Sequence, residues 1–139
     1  QPIDPWGLCV TWAEGIRLPT GRIIRYPDLR SEHNEDGSKE WVYGQGRHKA
    51  RIYAGKVDEN AVQALARDVI AGNALDFFKL TKLRPALMVH DELVYVVPES
   101  DAQAALDELQ AIMRTPPKWW PSLVTWSEGD VADTYGAAK

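Results

Sequence analysis

His90-Asp91-Glu92 stands between two apolar runs, Ala86-Leu87-Met88-Val89 before it and Leu93-Val94-Tyr95-Val96-Val97 after it. An apolar run, a charged tip and a second apolar run, bounded by Pro85 and Pro98, predict a tight hairpin over 85–98. Buried strands would hold the two adjacent carboxylates rigidly. Rigid hard oxygen donors are what Mg²⁺ requires, and a strand-borne Asp supplies one ligand of the kind used in two-metal phosphoryl transfer. The plain alternative is a charged tip that merely keeps the hairpin solvated. No other motif competes. Cys9 is a lone cysteine, so it forms no internal disulfide, and no Cys/His cluster suggests zinc. Gly44-Gln45-Gly46 lacks the strand-to-helix setting of a phosphate-binding loop.

The elements that position the triplet follow from periodicity and punctuation. Residues 8–12 and 16–26 read as extended, with Leu18-Pro19-Thr20-Gly21-Arg22 breaking the second into a hairpin and Pro27-Asp28 ending it. Residues 31–39 lack apolar periodicity and read as an exposed turn, followed by a strand over 40–43 that closes a hairpin region spanning 8–56. Asp58 caps a helix over 58–80, in which Val62, Leu65, Ala66, Val69 and Ile70 form an apolar stripe. A second helix, over 101–114 and capped by Ser100 or Asp101, buries Ala104, Ala105, Leu106, Leu109 and Ile112 and stops at Pro116-Pro117. The C-terminal region, 119–139, contains a last strand near 123–128. The order predicts an α+β fold with helices packed on one face of an antiparallel sheet.

With 139 residues, 45% of them hydrophobic, the chain can bury a modest core as one domain. Its apolar runs are too short to span a bilayer, so the expectation is a soluble protein of the cytoplasm, with no membrane partner. The net charge of −4 conceals basic clusters at Arg17, Arg22, Arg25 and Arg30 and at Arg47, His48, Lys49, Arg51 and Lys56. Such a first half suits a phosphate backbone. An opening Gln1 in place of methionine suggests a processed chain or a fragment of a longer one.

Leu87-Met88-Val89-His90-Asp91-Glu92-Leu93-Val94 resembles the third motif of family A DNA polymerases. Gly21-Arg22 through Tyr26-Pro27-Asp28-Leu29-Arg30 resembles the hairpin that follows the fingers helices of that family. Glu59-Asn60-Ala61-Val62-Gln63-Ala64 with Ala66-Arg67-Asp68 resembles its long helix, and Tyr53-Ala54-Gly55-Lys56 before it is similar to bacteriophage members. Met113-Arg114-Thr115-Pro116-Pro117 and Glu128-Gly129 resemble the phage-type C-terminus. The resemblance covers nearly the whole chain and implies a palm-type antiparallel sheet.

It also implies roles. Asp91 would bind the catalytic Mg²⁺ ions, with Glu92 beside it tuning the site or the primer terminus. His90 would lie near the primer-terminal sugar and base, Gln63 and Asn60 would reach minor-groove acceptors, and Arg22 would touch the template-primer. The bland alternatives are a polar helix face for Asn60 and Gln63 and a solvated arginine for Arg22. The six tryptophans are read as packing residues. The implied partners are primer-template DNA, a dNTP and an upstream portion bearing the first catalytic aspartate and the fingers. The chain alone is then expected to be inactive, as a fragment or as one polypeptide of a split enzyme. Two other readings stay open: a non-catalytic DNA-binding or structural module, and a self-sufficient nuclease using Asp91 with Glu92.

Overall fold

Pro19 and Gly21 shape the turn over residues 18–22. Leu18 N donates to Arg22 O at 2.8 Å and Gly21 N to Leu18 O at 2.9 Å, with Gly21 in the left-handed region at φ 87°. Proline sets the φ of the second turn position, and glycine accepts the closing conformation without a Cβ penalty. This turn joins β2 (Gly15–Arg17) to β3 (Ile23–Arg25), and β1 (Val10–Trp12) pairs on the other side of β2. The computed structural model describes residues 1–138 and shows two compact units, Gln1–Leu65 and the residues from Ala66 onward. The division falls inside one continuous helix, α1 (Ala54–Thr81).

In the first unit a second antiparallel sheet forms from β4 (Arg30–His33), β5 (Lys39–Tyr43) and β6 (Ala50–Ile52), in that order. Strand β4 corrects the expectation of a loop over 31–39, since only residues 34–38 turn. Its polar sequence hides it because it is an edge strand, where charge is ordinary. Glu32 lies opposite Glu40 across β4 and β5, a repulsive arrangement offset by Arg30 and Lys49 on Glu32 and by Arg51 on Glu40. Cys9, Ile16, Leu18, Tyr26 and Ile52 make this unit's core, with Val57, Ala64 and Leu65 of α1 packed against it. Cys9 is thus a small buried apolar residue.

Close packing at Gly15 gives the first expected result. A Cβ there would overlap the backbone carbonyl of Ile24, which no side-chain rotation relieves. Gly15→Ala should destabilise the protein by about 3 kcal/mol, the upper part of the usual overpacking range. Urea denaturation measures it, and a loss below about 0.5 kcal/mol would refute the close approach of β2 and β3.

Helix α1 begins before Asp58, because the Tyr53 carbonyl already accepts from Lys56 N at 2.9 Å and Val57 N at 3.0 Å. The cap assigned to Asp58 and the boundary 58–80 are corrected accordingly. Val62 is 65% exposed and leaves the expected stripe, whereas Ala61, Ile70, Ala74 and Phe77 are buried.

In the second unit β7 (Leu87–Val89) and β8 (Glu92–Val94) pair antiparallel, as the hairpin at 85–98 was expected to. Helix α2 (Ala102–Met113) follows, with Asp101 at the N-cap position but making no capping bond; its carboxylate accepts the Ser100 hydroxyl instead. The strand expected near 123–128 does not form. Arg114, just past α2, donates to the Ser127 carbonyl through Nε at 3.1 Å and Nη2 at 2.6 Å and lies 4.4 Å from the Trp126 ring centre. Side-chain donors therefore hold the tail where a strand ladder was expected. The α+β class and antiparallel pairing stand, with the strands in three small sheets. No helix among the described residues is long and apolar enough to cross a membrane.

Candidate functional site

Register decides what the hairpin displays. Val89 pairs with Glu92, Met88 with Leu93 and Leu87 with Val94, so the loop consists of His90 and Asp91 alone. Directly opposed residues share a face, and successive residues alternate. Leu93 and Tyr95 therefore point the same way, and Tyr95 packs edge-on against Phe77 of α1 at a ring-centre distance of 4.8 Å. Glu92 lies on the opposite face. The side of the hairpin toward α1 is thus aromatic and apolar, and burial pushes the Tyr95 hydroxyl pKa up.

His90 holds φ at 51°, in the left-handed region that two-residue hairpin turns favour and that glycine usually occupies. A non-glycine residue there costs about 1 kcal/mol or more, and such strain concentrates at functional positions. His90→Val should destabilise the chain by about 1–2 kcal/mol, while His90→Gly should leave stability equal or better. Thermal melts of both variants decide it; equal losses would show that the turn does not require the left-handed conformation.

Asp91 is exposed at the tip and makes no side-chain hydrogen bond or ion pair among the described residues. Glu92 is half-buried, and its Oε2 accepts the Tyr135 hydroxyl at 2.7 Å. An exposed carboxylate on a fixed two-residue turn is a hard oxygen donor of the kind a cation such as Mg²⁺ takes. Among the described residues, no group of three or more His, Cys, Asp or Glu could hold a metal ion. The hairpin itself carries two carboxylates, fewer than such a group contains.

The remaining predicted residues lie in the first unit, on or against α1. Asn60 Nδ2 donates to the hydroxyl of buried Tyr26 at 3.0 Å, so its amide anchors the helix to the residue just past β3. Gln63 is exposed, and its Nε2 donates to Glu59 Oε1 at 3.2 Å, a neighbour one helical turn away. Arg22 Nη2 reaches the Ala64 carbonyl at 3.0 Å. The structure thus brings Arg22 beside the turn of α1 that carries Gln63. Sequence reasoning missed Tyr26 and Tyr135, whose partners lie 34 and 43 residues away.

The basic stretches are largely offset. Over residues 1–65, nine Lys and Arg are matched by nine Asp and Glu, so the expectation of a basic first half fails on the full count. Lys56 pairs with Glu59 and Arg25 with Glu14. Hydrogen bonding from Lys49, reinforced by Arg30, holds the Glu32 carboxyl below its ordinary range despite some burial.

Over 140 residues the chain is 33% identical to a DNA polymerase of Bacillus phage SP02; the match covers 93% of this chain and 21% of that protein. The chain thus spans about one-fifth of the length of the curated relative it matches. No protein-family model and no solved structure matches it. The chain is related to a segment of a phage DNA polymerase.

Proposed function

We propose that this segment is the C-terminal palm portion of a family A, template-directed DNA polymerase of the phage type, with Asp91 as one of its catalytic metal-binding carboxylates. One observation carries the reading: an exposed aspartate on a two-residue turn whose preceding residue is strained, within a chain that aligns along 93% of its length with a phage polymerase. When bound, Mg²⁺ supplies Lewis-acid activation of the primer 3′ hydroxyl and neutralises charge on the incoming dNTP. The hairpin's own contribution is to hold Asp91 still, because strand pairing and the Phe77–Tyr95 contact leave the tip little freedom. His90, beside it, meets the primer terminus.

Gln63, exposed on α1, reads minor-groove acceptors common to all base pairs, which suits a sequence-blind enzyme. Arg22 meets the backbone from the neighbouring turn, and Asn60 contributes through its anchor on Tyr26. An upstream portion supplies the remaining metal ligands and the fingers, and the assembled enzyme works in the host cytoplasm on primer-template DNA. Primer extension tests this, comparing the chain alone with the chain mixed with the upstream portion of a phage relative. Synthesis only in the mixture supports the reading. Synthesis by the chain alone refutes the shared active site, and salt-dependent DNA binding without synthesis in either case favours a non-catalytic module.

A further inference from the structure

The two carboxylates of the hairpin are not equivalent. Asp91 stands in the turn, exposed, with no side-chain hydrogen bond or ion pair among the described residues. Glu92 opens β8, half-buried and paired with Val89, and accepts the Tyr135 hydroxyl at 2.7 Å. Tyr135 belongs to the tail, at the start of a short 3-10 turn, Tyr135–Ala137.

We propose that Tyr135 is a positioning residue that holds Glu92 away from the cation and leaves Asp91 as the ligand the hairpin offers, an inference that rests on Asp91 being a metal ligand. A carboxylate oxygen accepting a phenolic O–H gives up that charge-assisted bond, or turns its other oxygen, before it can ligate. Mg²⁺ requires near-octahedral geometry with room for water and substrate oxygens. Both carboxylates of the hairpin closing on a single ion would fill positions that ligands from elsewhere in the enzyme need. Groups behind the ligands commonly set ligand orientation in this way. A neutral phenol achieves it without adding a charge to the site.

The test uses Mn²⁺ alone as the probe, added to the intact chain and followed by paramagnetic broadening of its NMR signals. In the unaltered chain the broadening should centre on Asp91. Tyr135→Phe keeps the ring and removes the donor, so Mn²⁺ should bind about tenfold tighter, the scale of one hydrogen bond to a charged group, with Glu92 signals joining the broadened set. In a Glu92→Gln background the same change should have no effect, which separates released ligation from a general loosening. If Tyr135→Phe leaves the affinity unchanged while Asp91→Asn still abolishes binding, the positioning role is overturned and the metal reading survives. Broadening that misses the hairpin, or persists in Asp91→Asn, overturns both.

Discussion

Primer extension by the chain assembled with an upstream polymerase portion is expected to fall about a thousandfold or more when Asp91 becomes asparagine. Lewis-acid stabilisation by a metal is worth several kcal/mol, and each ~1.4 kcal/mol is a factor of ten. The amide keeps the size of the carboxylate and removes the charge that binds the cation. Its structural cost should be small, because Asp91 is exposed and its side chain has no hydrogen bond or ion pair among the described residues. Surface changes of that kind stay within about 0.5 kcal/mol. Template-primer affinity, measured without nucleotide, should change by less than about threefold, since the proposed DNA contacts lie at other residues. A variant that extends primers at near the parent rate would remove Asp91 from the site. A parallel loss of DNA binding would instead mean that the tip acts through the DNA.

The second large effect concerns what keeps the hairpin rigid. Phe77 is 1% exposed, and its ring meets Tyr95 at 4.8 Å with the planes inclined by 65°. The Tyr95 hydroxyl is buried with no hydrogen-bond partner among the described residues, so ring contact is what joins the hairpin side to α1 here. Phe77→Ala removes a fully buried ring and should destabilise the chain by about 3–5 kcal/mol. Against a typical total of about 5–15 kcal/mol, that is a large fraction. The urea midpoint should drop by more than about 1 M, and hydrogen exchange at Met88 and Leu93 should accelerate. A loss below about 1 kcal/mol would show that the hairpin is held by something other than α1.

The hairpin and α1 were legible because their signals are local. Apolar runs around His90-Asp91-Glu92 specify a two-strand register, and helical spacing specifies α1 itself, although of the stripe read through Val62, Leu65, Ala66, Val69 and Ile70 only Ile70 is fully buried, beside Ala61, Ala74 and Phe77. Strand β4 was not legible, because Arg30-Ser31-Glu32-His33 is polar and becomes a strand only through pairing with β5. The tail misled in the opposite sense. Val124 and Trp126 look like strand residues, yet they are 93% and 73% exposed, and Arg114 supplies the donors that a neighbouring strand would have supplied. By itself the sequence determined the α+β class, the hairpin with its carboxylates and the long helix, since each depends on neighbours within a turn or two of chain. Tertiary structure decided that Asn60 serves Tyr26, that Arg22 reaches α1 and that Glu92 answers to Tyr135 while Asp91 faces solvent. Those bonds join residues 34 to 43 positions apart, and no local pattern of residue types encodes which distant donor a folded chain will bring to a given oxygen.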